Sequence, residues 1–296
     1  MEGVRETAAT IAANVSETAE MIAFKHTVFA LPFAIIALIT ATAPGWPSIS
    51  TWLWVGVAMV AARTAAMSFN RLVDQGIDAQ NPRTKGRSLP AGRLSRRFAW
   101  TTTVISALVF VVAAAQLNRL CLALSLPTLA VLLGYSYSKR FTAASHLWLG
   151  IALGMAPVGA WIAATGRLDW PAIVLALAVC FWVAGFDVIY SLQDEAFDSR
   201  VGLRSIPARL GGQRALVLAR CFHALALAGF FAFAIASGGG PIRLAAVAAA
   251  AALLAWQHRQ ISADDLSAVD AAFFTANGSL AVVMCAAFVI ARFFSG

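Results

Sequence analysis

Charge is scarce in this sequence. Only 12% of its 296 residues are Asp, Glu, Lys or Arg, while 60% are hydrophobic; a soluble domain carries about twice that share of charge. So little polar surface excludes a soluble enzyme, and so much apolar surface excludes a disordered chain. Cysteine is scarce as well: Cys121, Cys180, Cys221 and Cys285 each lie alone in a different apolar run. With no CxxC pair and no adjoining histidine set, a disulfide scaffold and a zinc site are excluded, and the four read as small buried hydrophobes. The strict apolar/polar alternation of an outer-membrane barrel strand is also missing. Acids are outnumbered, 14 against 22 Lys and Arg, for a formal net charge of +8. Those bases lie in loops between apolar runs rather than in a stripe interleaved with exposed aromatics, which argues against nucleic acid as a partner.

What is present is a series of long apolar tracts, as at 98–138, 145–166 and 214–257, with Arg119, Arg220 and Arg243 among their few ionisable groups. About 20 mainly apolar residues suffice to cross a bilayer. Breaking the chain at polar and Gly/Pro clusters predicts about nine transmembrane helices, at roughly 22–43, 51–69, 98–116, 119–138, 146–165, 170–190, 214–237, 242–258 and 271–294. The expected fold class is therefore all-α, a polytopic membrane helix bundle forming a single domain over 1–296. The segment Met1 to Ala19 carries Glu2, Arg5, Glu6 and Glu17 without an apolar core, so residues 1–20 read as a cytosolic lead-in helix and not a signal peptide. Bases crowd into alternate loops: Arg71 to Arg97 after the second span, Lys139 and Arg140 after the fourth, Arg200 to Arg214 after the sixth, Arg259 after the eighth. The other side holds Arg119, Arg167 and Arg243. The positive-inside rule then puts the N-terminus in the cytoplasm, in a multi-pass protein of the inner or plasma membrane surrounded by lipid.

Two loops on the basic side are long, 70–97 and 191–213, and loops of that length in a compact chain are often functional. They echo one another. The first has Asn70, Asp74, Asp78 and then Arg87-Ser88-Leu89-Pro90; the second has Tyr190, Asp194, Asp198 and then Arg204-Ser205-Ile206-Pro207. Spacing of four puts Asn70, Asp74 and Asp78 on one helical face, with Arg63 and Met67 a turn or two deeper, and spacing of three and four puts Asp187, Tyr190, Asp194 and Asp198 on one stripe. A single such pair is equally a solvated helix end. Two clusters, each at the same end of a span and each followed by bases, are candidates for function. Paired aspartates at helical spacing suit Mg²⁺, which takes a few carboxylate oxygens and completes its shell with water and substrate phosphate. Arg87, Lys139, Arg140 and Arg204 would neutralise the rest of a diphosphate. Acids, bases and membrane together point to an amphiphilic diphosphate, and the spacing excludes a calcium loop.

The runs N-R-L-V-D-Q-G-I-D (Asn70 to Asp78), N-P-R-T-K-G-R-S-L-P-A-G-R-L-S (Asn81 to Ser95), Y-S-Y-S-K-R (Tyr135 to Arg140) and D-V-I-Y-S-L-Q-D-E-A-F-D (Asp187 to Asp198) resemble the UbiA superfamily of intramembrane aromatic prenyltransferases. K-H-T-V-F-A-L-P-F (Lys25 to Phe33) and A-R-T-A-A-M-S-F-N-R (Ala62 to Arg71) are similar to its 4-hydroxybenzoate polyprenyltransferase branch. The resemblance implies a helix bundle with a central cavity open to lipid and two Asp-rich motifs that bind diphosphate through Mg²⁺. Matched residue by residue, Asn70, Asp74 and Asp78 fall on the first motif and Asp194 and Asp198 on the second. The metal ligands it implies are thus Asp74, Asp78, Asp194 and Asp198. Arg71 stands where the common motif has Asp and is not given to the metal.

The activity implied is transfer of a polyprenyl group from an allylic polyprenyl diphosphate to a phenolic aromatic acid. The acceptor is 4-hydroxybenzoate in quinone biosynthesis or, alternatively, a dihydroxynaphthoate on the way to menaquinone. Asp187, Tyr190 and Asp194 are the candidate catalytic residues; Arg63, Asn70, Arg87, Lys139, Arg140 and Arg204 are candidates for substrate binding. Arg63 has two readings, a buried partner for Asp187 or a clamp for the acceptor carboxylate. His26, His146 and Tyr135 read as ordinary interfacial or buried residues. A secondary transporter is the alternative of another class, but its ionisable residues belong near the midplane in broken helices, whereas these gather at span ends.

Overall fold

In the computed structural model, residues 17, 18, 21 and 29–294 are described. Most of the expected lead-in helix and the start of the first expected span, including Lys25 and His26, lie outside the described residues, although Glu17 and Thr18 are helical. The described chain is an all-α bundle whose long rods are α1 (Leu31–Ala41), α2 (Ile49–Asp78), α3 (Arg96–Leu117), α4 (Arg119–Phe141), α5 (Ser145–Thr165) and α6 (Trp170–Ser191). After a 3₁₀ turn at Leu192–Asp194 come two short helices, α7 (Glu195–Val201) and α8 (Ile206–Leu210), and then α9 (Gly212–Ala236), α10 (Pro241–Gln260) and α11 (Val269–Phe293).

Local chemistry sets these boundaries. Pro32, Pro171 and Pro241 occupy the first turns of α1, α6 and α10, where a missing N–H costs no helical hydrogen bond. Ser48, Ser95 and Asn118 cap α2, α3 and α4 by accepting the backbone N–H of Thr51, Phe98 and Cys121, each satisfying an orphan donor of the first turn. Asn118 also donates to the Ile162 carbonyl at 2.8 Å, tying the α3–α4 corner to the far end of α5.

Seven helices are long and apolar enough to cross a membrane, counting α6 through to Val201 as one. The chain is therefore a multi-pass membrane protein by helix composition. Two of the nine expected spans fall short of that standard among the described residues. Helix α1 shows 11 residues, and α10, though 20 residues long, carries Arg243, Gln257, His258 and Arg259. Large apolar side chains such as Leu108 and Leu126 are exposed on the outer faces of α3 and α4, as lipid contact demands.

The core gathers Phe29, Phe33, Trp182, Phe186, Phe230 and Phe273 between α1, α6, α9 and α11. A polar insertion in it is satisfied internally: Trp182 Nε1 donates to Asn277 Oδ1 and Asn277 Nδ2 donates to the Phe273 carbonyl, both at 2.9 Å. A buried indole requires such a partner.

Helices α5 and α6 pack face to face through small residues. A Cβ at Gly150 would collide with the Cys180 carbonyl oxygen, and one at Gly154 would lie 2.7 Å from that of Ala176. Small residues four apart let backbones approach where no side chain fits. Gly159, on the same helix, has open space around its would-be Cβ. Thermal unfolding in detergent should show Gly154→Ala destabilised by roughly 1–3 kcal/mol. Gly159→Ala should be unchanged or stabilised by up to about 1 kcal/mol. Equal behaviour of the two variants would contradict the close approach.

Candidate active site

At one end of the bundle, α2, α4, α6 and the segments that follow α2 and α6 enclose a cavity of about 290 Å³. Spacing of three and four along α2 brings Arg63, Met67, Asn70, Asp74 and Asp78 to its wall, and the first Asp-rich segment is helical throughout, not loop. On the facing side, a continuous stripe of Asp187, Tyr190, Asp194 and Asp198 was expected. Instead the chain tightens into the 3₁₀ turn at Leu192–Asp194 and restarts as α7. All four side chains still line the cavity, as do Arg87, Lys139 and Arg140.

Each carboxylate has a partner. Asn70 Nδ2 donates to Asp74 Oδ2 at 2.9 Å and Arg140 Nη2 to Asp74 Oδ1 at 3.1 Å. Arg87 Nη1 reaches both oxygens of Asp78, at 2.7 and 2.9 Å. Asp194 receives Asn81 Nδ2 at 2.9 Å and two nitrogens of Arg83. Burial works against the charge on Arg83, but its hydrogen bonds to Asp194 and the carboxylate charge outweigh it and hold the guanidinium above its ordinary value. Arg83 Nη1 also donates to the Tyr190 hydroxyl at 3.2 Å. Asp198 is buried, with a hydrogen bond to Ser205, while its Oδ2 has no hydrogen-bond partner. Lys139 sits within electrostatic reach of Tyr135, Asp187, Asp198 and Asp194.

Deeper in the cavity the wall turns apolar, with Leu149, Leu153, Phe186, Phe273 and Phe29. The segment after α2 is anchored from outside by Glu17, which accepts Ser88 Oγ at 2.6 Å and Arg93 Nε at 2.8 Å. These two bonds hold the Glu17 carboxyl below its ordinary pKa.

Three expectations change. Arg204 does not line this cavity: its N–H donates to the Lys139 carbonyl at 2.7 Å and its guanidinium to the Phe141 carbonyl at 2.9 Å. His146, read as an ordinary interfacial or buried residue, engages Asp187, its Nδ1 lying 2.7 Å from Asp187 Oδ2. Tyr135 lines the cavity instead of marking an interface. Arg71, whose Nε donates to the Met21 carbonyl at 3.3 Å, is buried against the same wall. Arg83, Asn81 and His146 were missed. The first two lay in view in the Asn81-Pro82-Arg83 run, and His146 stands one helical turn before Gly150 on the face that meets α6.

The chain matches the UbiA prenyltransferase family over residues 30–278. A curated relative, the 4-hydroxybenzoate octaprenyltransferase of Methylobacillus flagellatus, is 34% identical over 182 residues, 61% of this chain and 61% of that protein. That alignment spans less than two thirds of the relative's length. The protein of the same name from Nitrosospira multiformis is 30% identical over 235 residues, 79% of this chain and 81% of its own. Among solved structures, the apo form of a UbiA homolog from Aeropyrum pernix K1 superposes with a TM-score of 0.82 at 34% identity, covering 90% of this chain and 98% of that one. A UbiA homolog from Archaeoglobus fulgidus, bound to DMAPP and Mg²⁺, gives 0.71 at 18% identity over 95% of this chain and 100% of that one, a likeness of fold.

The Arg83–Asp194 contact joins segments more than a hundred residues apart, and its carboxylate is buried while the guanidinium reaches it from the exposed segment after α2. A double-mutant cycle of Arg83→Gln and Asp194→Asn, read by unfolding in detergent, should give a coupling of about 0.5–3 kcal/mol. Additive effects would mean that the pair does not form.

Proposed function

Because the chain belongs to the UbiA prenyltransferase family, we propose that it transfers a polyprenyl group from an allylic polyprenyl diphosphate to an aromatic acid, 4-hydroxybenzoate, in quinone biosynthesis. The observation that carries this reading is the meeting of Asp74, Asp78, Asp194 and Asp198 with Arg83, Arg87, Lys139 and Arg140 in one cavity whose deeper wall is apolar. Such a cavity suits a substrate with a polyanionic head and a hydrocarbon tail. The names of the octaprenyltransferase relatives support the acceptor. The basic residues at this end support nine spans, with the cavity facing the cytoplasm of the inner or plasma membrane.

Mg²⁺ fits the donor set. Asp74, Asp78, Asp194 and Asp198 line one cavity beside open space, which suits an ion that takes a few carboxylate oxygens and fills its shell with water and phosphate oxygens. Asp74, Asp78, Asp194 and Asp198 would hold it, and Asp198 Oδ2, buried without a hydrogen bond, is ready to ligate. When bound, Mg²⁺ supplies Lewis-acid stabilisation of the departing diphosphate.

The chain's own groups do the rest. Arg83, Arg87 and Arg140 exchange carboxylate for phosphate oxygens, a bidentate match for guanidinium, and Lys139 adds a compact positive charge where negative charge develops. The allylic C–O bond breaks with its electron pair leaving on diphosphate, and a ring carbon of the phenol forms the new C–C bond. The displaced ring proton passes to Asp187. Leu149, Leu153, Phe186 and Phe273 keep out the water that would otherwise capture the allylic carbon. Arg63, deeper along α2 in the cavity wall, would take the acceptor's carboxylate.

The decisive test incubates purified protein with Mg²⁺, radiolabelled polyprenyl diphosphate and a panel containing 4-hydroxybenzoate and dihydroxynaphthoate. Prenylated 4-hydroxybenzoate is expected; product from no phenolic acid would refute the reading. Asp74→Ala and Asp194→Ala should each cut turnover by about 10²–10³-fold or more with the protein still inserted and folded, and a chelator should do the same. Arg63→Ala should raise KM for the aromatic acid by about tenfold or more, the worth of a hydrogen bond to a charged group, with KM for the diphosphate little changed. Equal losses for both substrates would remove Arg63 from the acceptor.

A further inference from the structure

His146 carries chemistry that the family pattern and the proposed reaction do not assign. It is fully buried at the start of α5, and both ring nitrogens are engaged. Nε2 accepts the backbone N–H of Ile206 at 3.2 Å, so in the neutral ring the proton must sit on Nδ1. Nδ1 therefore donates to Asp187 Oδ2, 2.7 Å away. A doubly protonated ring would set an N–H against the Ile206 N–H. The geometry thus fixes both tautomer and charge, which excludes a shuttle and leaves an orienting group.

We propose that His146 is a positioning residue: a neutral imidazole, locked as the Nδ1–H tautomer by Ile206, that holds Asp187 through one oxygen and presents the other to the aromatic acceptor. This rests on the proposed role of Asp187 as proton acceptor. Lys139 lies within electrostatic reach of Asp187. Without a competing donor the carboxylate would swing into an ion pair with that ammonium, spending both the base and a cation needed by diphosphate. His146 keeps them apart. It gives Asp187 a hydrogen bond but no positive charge. The anchor on Ile206 is shared: the adjoining Ser205 hydrogen-bonds Asp198, so one two-residue step fixes the acceptor-side carboxylate through His146 and a metal-side carboxylate directly.

The two contacts can be separated by substitution. The Nδ2 of Asn overlays Nδ1 of His, so His146→Asn keeps the donor to Asp187 and loses Ile206. The amide of Gln reaches the position of Nε2, so His146→Gln keeps Ile206 and loses Asp187. His146→Ala loses both. Turnover of prenyl diphosphate and 4-hydroxybenzoate by purified protein in detergent is measured for each, with Asp187→Asn as comparator and Tm recorded throughout. His146→Ala and His146→Gln are expected to lose kcat by about 10²-fold, the low end of a general base's contribution. His146→Asn should stay within about tenfold of wild type by the same measure with KM for the diphosphate unchanged, whereas KM for the diphosphate should rise in His146→Ala and His146→Gln as Lys139 is drawn to Asp187.

Activity retained by His146→Gln but lost by His146→Asn, or losses that follow Tm alone, would make His146 a purely structural link and overturn the proposal. Full turnover by Asp187→Asn would instead overturn the role of Asp187 on which it rests. If wild type prenylates no acid, the ¹⁵N NMR spectrum of histidine-labelled protein still decides: an Nε2–H tautomer at His146, or signals unmoved by Asp187→Asn, refutes the positioning.

Discussion

A carboxylate withdrawn from water needs a counter-charge or a hydrogen bond, or it takes up a proton. In a chain with 14 acidic residues and so much apolar surface, this requirement shapes the end of the bundle where the acids gather. Asp74 leans on Arg140, Asp78 on Arg87, Asp194 on Arg83 and Asp187 on His146. None of these contacts is made within one turn of helix; each draws in a residue from another segment. The segment after α2 must fold back over the helix ends to deliver Arg83 and Arg87, and the end of α4 must stop beside α2 to deliver Arg140. Under the proposed function the same pairs would set how a diphosphate enters. Arginines already partly desolvated against carboxylates would lose less water on turning to phosphate, which would make binding an exchange of anionic partners.

The second constraint is steric. His146, Gly150 and Gly154 are spaced by four along α5 and share one face, and that face meets Ala176, Cys180 and Asp187 of α6. The two glycines bring the backbones close enough for an imidazole on one helix to reach a carboxylate on the other. A bulkier residue at either position would push α5 outward, and the contact of His146 with Asp187, at the end of the same seam, would open with it. Packing in the middle of the bundle therefore governs geometry in the cavity.

Much of this was legible in the sequence, for reasons that also mark the limit. Helix positions follow from the length of apolar runs, which is a local property, and the expected spans at 98–116, 119–138, 146–165 and 170–190 fall within α3 to α6. The aspartates at intervals of four announce their shared face because helical periodicity is local too. What periodicity does not carry is which cation meets which acid. Arg83 and Asn81 reach Asp194 across more than a hundred residues, and His146, a single histidine at the head of an apolar helix, looks like any buried polar residue until α6 is set beside it. Even the break at Leu192–Asp194 is tertiary in origin, since nothing in Leu-Gln-Asp forbids continued helix.

The repeated Arg-Ser-aliphatic-Pro step shows why a sequence echo does not transfer roles residue by residue. In the first copy Arg87 braces Asp78 and Ser88 binds Glu17. In the second, Ser205 braces Asp198, the Ile206 N–H binds His146, and Arg204 turns away to the Phe141 carbonyl. Both steps hold the second aspartate of their own motif, but with different members. The paths between explain the difference. From Asp78 the chain runs through successive turns that return Arg87 over the carboxylate. After Asp198 it completes α7 and reverses at Gly202, whose left-handed φ of 76° a side-chain-bearing residue adopts only with strain. That reversal sets the Arg204 N–H against the Lys139 carbonyl and brings the next residue, Ser205, to Asp198. The shared four-residue pattern thus preserves a task, holding an acid in place at the cavity mouth, while the turn before it decides which atoms perform it.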